Sequence, residues 1–231
     1  MARAHRPSLD MSYTPAHPDG AELAIRDFWR RRTAINSTQA ARFHSEHDAH
    51  DIPAITALCA PGARVLDLGC GTCVVANWLA TNHEVTVHAV DYMPVFLEHA
   101  IEDPRVTTAV GDARTYRCDG RFDLILSLGV ITYFVDREER RAMYENCLAM
   151  LAPGGSLFLK AQFGVRETVT VDTYSEQLQA RYVASYPWLD DEVALLEGVF
   201  DSPVAVTDPF PPELNLHDNT HFYYLSVGRS H

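Results

Sequence analysis

The chain has 231 residues, is 47% apolar and carries a formal net charge of −12, enough apolar side chain for one α/β domain with a buried core. That acidity argues against a nucleic-acid partner, because neutralising phosphates takes clustered Lys and Arg. Five cysteines in an odd set without finger spacing, and an opening stretch "MARAHRPSLDMSYTP" with no apolar run, point to a cytoplasmic protein with no membrane segment.

Residues 1–63 are expected to form a helical cap over the ligand end of a sheet, with helices at Glu22–Arg32 and Ser37–Asp48. A third starts with Asp51 as its cap and Pro53 in its first turn. Arg30, Arg31 and Arg32 are the one dense basic run and read as a solvated helix face. His44, His47 and His50 recur every third residue and fan across one side of a helix. They stand as a partly exposed polar face, as a base or substrate ligand, or as a metal site.

Short, β-branched or Leu-rich strands follow at Arg64–Leu68, Val85–Val90, Val106–Val110, Phe122–Ser127 and Ser156–Lys160, as in strands buried on both faces. They alternate with helical patterns at Val74–Thr81, Pro94–Ala100 and Arg137–Leu151, the pattern of a doubly wound, mostly parallel sheet with crossover helices. Asp136 caps the last of these, Glu139 holds the capping-box position, and "APGG" ends it. The stretch 171–200 reads as helical, its Tyr174, Tyr182, Tyr186 and Trp188 forming either a lid or the core of added helices. A strand pair, Val204–Thr207 and His221–Val227, closes a seven-stranded sheet whose last strand is antiparallel. The expected organisation is a single domain over 1–231: cap 1–63, ligand-binding core 64–165, and acceptor-side elements 166–231.

The stretch "RVLDLGCGTC", residues 64–73, delivers a strand to a glycine turn that opens a helix. A dinucleotide fingerprint would want a third small residue where Val74 stands. Asp67, inside the strand, would repel a pyrophosphate and attract an ammonium and sulfonium ligand. "VLDLGCGTC" resembles motif I of the class I S-adenosylmethionine-dependent methyltransferases, with Cys73 replacing the last glycine. The resemblance spans roughly residues 60–165. It implies S-adenosylmethionine as cofactor, with Gly69 and Gly71 admitting it closely and Asp67 and Cys70 lining its methionine end. Asp91, ending the second strand, matches the acceptor of the ribose hydroxyls, and Tyr92 and Met93 match positions that pack on adenine. Asp112, with Ala113, matches the acceptor of the adenine amine. Ser127 and Leu128 stand where base-modifying members carry N-P-P-Y, which favours a small-molecule acceptor.

Methyl transfer from a sulfonium needs alignment and exclusion of water, and for some acceptors a base. The candidates are His47 and Tyr133 for catalysis, and His44, Lys160 and Gln162 for substrate binding. No metal is expected, because Cys70 and Cys73 lie within the glycine turn and no second pair follows. The alternatives are a nucleotide-dependent oxidoreductase and a catalytically idle cofactor-binding subunit.

Overall fold

The structure, a computed structural model, describes residues 20–37, 47–207, 210–215 and 217–229. Its centre is a sheet of seven strands in the order β3-β2-β1-β4-β5-β9-β8. These are β1 (Arg64–Leu68), β2 (Thr86–Asp91), β3 (Val106–Val110), β4 (Phe122–Leu128), β5 (Leu151–Gly164), β8 (Ala205–Thr207) and β9 (Thr220–Gly228). Strands β1 to β5 pair in parallel, and β9 runs antiparallel to β5 and β8. The strand order reverses between β1 and β4. Their carboxyl ends therefore open a crevice, where ligands bind in sheets of this kind.

Apolar runs made these strands because both sheet faces are covered. On one face Leu66, Leu68 and Ile125 pack against Met143 and Tyr144 of α5 (Arg137–Met150) and Leu195 and Leu196 of α6 (Leu189–Phe200). On the other, Val65, Leu124 and Leu126 meet Ile55 of α2 (Asp48–Thr56) and Leu79 of α3 (Val74–Asn82). Each such side chain contributes about 1.5–3 kcal/mol by leaving water. Two further helices are α1 (Ala21–Ile35) and the single turn α4 (Pro94–Leu97).

Several expectations are corrected. Residues 171–186 are not helical: β6 (Val169–Ser175) and β7 (Ala180–Tyr186) form a separate antiparallel hairpin, and only α6 is a helix. The run V-T-V-D-T-Y has the β-branched, period-two character of a strand, and Gln179, at φ 48°, turns the chain back. Asp51 is not a cap. Helix α2 begins at Asp48 after His47, leaving Asp51 buried in its interior. "APGG" does not separate helix from strand, since Leu151 already pairs with Phe122 and Ser156 with Leu124, so the four residues bulge out of β5. A side chain at Gly155 would come within 2.8 Å of the Phe122 carbonyl oxygen. Asp136 caps α5 by accepting the Glu138 N–H (2.9 Å), while Glu139 turns to Arg114. Most of the helix expected at Ser37–Asp48, and with it His44, lies outside the described residues.

Candidate active site

Strand β1 ends in the glycine turn on the floor of the crevice. Gly69 adopts φ +82°, and a side chain there would also strike Val130 at 2.3 Å, so both backbone and space require glycine. Cys73, fully buried at φ 56°, starts α3, its sulfur 3.7 Å from that of Cys70. Asp91 ties the end of β2 to this turn, accepting the Gly71 N–H (3.0 Å) on one carboxylate oxygen and the Met93 N–H (2.9 Å) on the other. Burial raises the Asp91 pKa despite those backbone bonds.

Asp67 lies beside Asp91 and is 2% exposed, and its Oδ2 has no hydrogen-bond partner. Burial, helped by the Asp91 charge, pushes its pKa up to about 7. Thr72 and Tyr92 each present a buried hydroxyl that is likewise unmatched. All three residues line a cavity of about 860 Å³. Buried polar atoms without partners are costly, and a ligand carrying donors and positive charge satisfies them.

Beyond Tyr92 the cavity is walled by an ion network. Asp112 accepts from Arg114 and from Arg26 of α1 (3.1 Å), and Arg114 also reaches Glu22 (2.9 Å) and Glu139 (2.8 Å). Burial opposes ionisation of Asp112, but the Arg114 hydrogen bonds outweigh it and hold its pKa below the usual value. Arg26 also covers the Tyr92 ring at 5.6 Å. Helix α1 is thus strapped over the end of the cavity where the resemblance expects adenine.

The opposite end is aromatic. Tyr133, in a 3₁₀ turn after β4, stands edge-on to Trp29 at 5.3 Å, and Tyr182 and Tyr186 of β7 complete the wall. Below them Lys160 and Gln162, from the carboxyl end of β5, reach the cavity already engaged. Lys160 forms a buried ion pair with Asp51, and Gln162 donates to Thr220 Oγ1 (2.7 Å).

The structure therefore brings Asp67, Gly69, Cys70, Gly71, Asp91, Tyr92, Asp112, Ala113, Leu128, Tyr133, Lys160 and Gln162 to one cavity. Three candidates lie elsewhere. Met93 contributes its N–H to Asp91 and packs its side chain near Phe96, and Ser127 is wholly buried within β4. His47 is 1% exposed and packs between Phe210 (4.3 Å) and Phe222 (4.7 Å), which removes it from the cavity wall. Asp51, Thr72 and Trp29 line the cavity but were not among the candidates. Trp29 had a readable signal, an aromatic four residues after Ile25 on the apolar side of α1; Asp51 had none. Among the described residues no three His, Cys, Asp or Glu side chains converge in a metal-binding arrangement, and no helix is long and apolar enough to cross a membrane.

Residues 65–155, which include the glycine turn, Asp91 and Asp112, match the family described as methyltransferase domain. Over that segment the chain is similar to a methyltransferase domain. The mouse (Mus musculus) protein named probable tRNA methyltransferase 9B is 32% identical to the chain over 99 residues, 43% of this chain. The chain spans about a fifth of the length of the curated relatives it matches, 22% in that case. Solved structures share the fold around the methyltransferase domain. One is the Burkholderia thailandensis 1,6-didemethyltoxoflavin-N1-methyltransferase with its substrate and S-adenosylhomocysteine, at TM-score 0.65, 16% identity, and 95% and 93% coverage of this chain and that one. Another is the Haemonchus contortus phosphoethanolamine N-methyltransferase 2, at TM-score 0.66, 18% identity, and 89% and 60% coverage.

Proposed function

We propose that this protein transfers a methyl group from S-adenosylmethionine to a small-molecule acceptor enclosed between α1, the β6–β7 hairpin and the ends of β4 and β5. The observation that carries this reading is the buried Asp67 carboxylate, its Oδ2 unmatched, on the floor of the crevice beside a glycine turn laced to Asp91. A dinucleotide phosphate would be repelled there, and a cationic ligand is attracted. Bound S-adenosylmethionine supplies an activated methyl on a sulfonium. Asp67 and Cys70 face its methionine part, Asp91 holds the ribose hydroxyls and Asp112 the adenine amine. The chain's further contribution is positional: Trp29, Tyr133, Tyr182 and Tyr186 shape an acceptor chamber and exclude water.

A nucleic-acid acceptor is the second reading, favoured by the tRNA methyltransferase name of the mouse relative. Against it stand the net charge of −12 and the helix strapped over the crevice. Calorimetry with S-adenosylmethionine, S-adenosylhomocysteine and NAD tests the cofactor: micromolar binding of the first two without NAD supports the reading, and the reverse overturns it. Transfer of labelled methyl to purified tRNA would decide for the second acceptor class.

A further inference from the structure

Asp112 stands just past the end of β3, and its carboxylate is full. An ionised carboxylate offers about four acceptor positions. Oδ1 takes the Arg114 backbone N–H (3.0 Å) and Nε (2.9 Å), and Oδ2 takes Nη2 of Arg114 and Nη2 of Arg26 (3.1 Å). The adenine amine assigned to Asp112 above therefore meets an acceptor with no position open.

Of the two arginines, only Arg26 leaves easily. Arg114 holds Asp112 by three donors, is bound to Glu139 and Glu22 as well, and its side chain is 17% exposed. Arg26 makes one bond to Asp112 and its side chain is 46% exposed. When that bond breaks, Glu22 (3.0 Å) and the Tyr92 ring (5.6 Å) still hold the guanidinium, so no charge is stranded. A half-exposed ion pair is weak. An amine donating to the same carboxylate inside the cavity makes a charge-assisted hydrogen bond, which is the stronger of the two. Arg26, Tyr92, Asp112 and Arg114 all line the cavity, so the exchange takes place where the ligand arrives.

We propose that Arg26 is a placeholder for the adenine amine, a positioning residue that fills the fourth acceptor position of Asp112 in the empty protein and yields it to the cofactor. The assignment rests on the methyltransferase reading above. The exchange removes a charged tie that fastens α1 across the cavity and leaves the tie from Glu22 to Arg114 in place. The same helix carries Trp29, which lines the cavity against Tyr133 (5.3 Å) and Phe96 (6.0 Å), so filling the adenine position slackens the strap beside the acceptor chamber. Arg26 also bears on which base is accepted. A purine with a carbonyl in place of the amine cannot donate to Asp112 from that position, and accepts from the Arg26 guanidinium instead.

The test is calorimetric titration of the full chain with S-adenosylhomocysteine and S-inosylhomocysteine, at low and at high salt, for wild type, Arg26→Met and Arg31→Met. Arg26→Met keeps an unbranched side chain and deletes the donors. Arg31, paired with Asp27 on the same helix, is the control. Arg26→Met binds S-adenosylhomocysteine about two- to five-fold tighter than wild type, the scale of a lost half-exposed ion pair, and binds S-inosylhomocysteine no tighter. High salt screens the pair and narrows the gap between wild type and variant. Arg31→Met matches wild type throughout. Unchanged or weaker binding of S-adenosylhomocysteine to Arg26→Met, an equal gain for both nucleosides, the same gain in Arg31→Met, or a gap undiminished at high salt overturns the exchange. Failure of S-adenosylhomocysteine to bind the wild type overturns the methyltransferase reading itself.

Discussion

Asp51 and Lys160, 109 positions apart, meet in an ion pair on the cavity wall with both side chains 9% exposed. Tyr224 donates to the other Asp51 oxygen (2.7 Å), and the Lys160 ammonium sits 5.0 Å over the Phe210 ring. The pair fastens α2, from the N-terminal cap, to the end of β5. Desolvating two charges offsets much of their attraction, but leaving one alone is expensive.

Asp51→Ala should therefore destabilise the protein by about 3–5 kcal/mol in urea unfolding, since it takes the carboxylate away from the buried Lys160 ammonium and the Tyr224 hydroxyl together. Combining Asp51→Leu with Lys160→Met should recover most of that loss. A cost below about 1 kcal/mol for the single change would mean the site is open to water, as surface pairs are.

Asp67 predicts a pH dependence of defined sign. Its folded pKa is raised from 3.8 to about 7, so its contribution to stability is fully present below the lower value and is lost as pH rises through the upper one. Without ligand, the melting temperature of the wild type should fall across pH 4–7 relative to that of Asp67→Asn. Binding of a sulfonium and ammonium ligand favours the carboxylate, so affinity for S-adenosylmethionine should rise with pH to about 7 and then level, with proton release. Affinity independent of pH between 5.5 and 8 would count against a facing carboxylate.

Asp91→Ala removes the proposed ribose acceptor and frees the Gly71 and Met93 N–H groups together. Affinity for S-adenosylhomocysteine should drop by about ten-fold or more. Wild-type affinity would return Asp91 to a purely structural lacing of the turn.

His47→Ala should act on stability and spare turnover. Removing a ring packed between Phe210 and Phe222 costs about 2 kcal/mol or more in unfolding. Turnover per folded molecule should stay within about three-fold, whereas loss of a general base would cost 10²-fold or more.

The parallel core was legible in the sequence because fully buried strands leave continuous apolar runs and the glycine turn has a fixed spacing. β1, β3 and α3 lie within a residue of expectation for that reason. The hairpin was hidden, since Tyr, Gln, Glu and Ala near residues 174–184 suit a helix as well as a strand. Only the alternation of Val169, Val171 and Thr173 marked it. The residues proposed for the cofactor come to one cavity because they sit at or near the ends of strands. Partners far apart in sequence were not legible: nothing local announces that Asp51 answers Lys160, or that His47 will be walled in by two phenylalanines.

The aromatic wall of the cavity joins α1 near the start of the described chain to β7 some 150 residues later. Domains emerge from the ribosome N-terminal end first, at about 5–20 residues per second. Trp29 can meet Phe96 and Tyr133 earlier, but Phe28 waits roughly ten seconds for Tyr182, the ring it packs on. In that interval part of the apolar side of the helix stays open, and the nascent chain is exposed to chaperone capture or aggregation there.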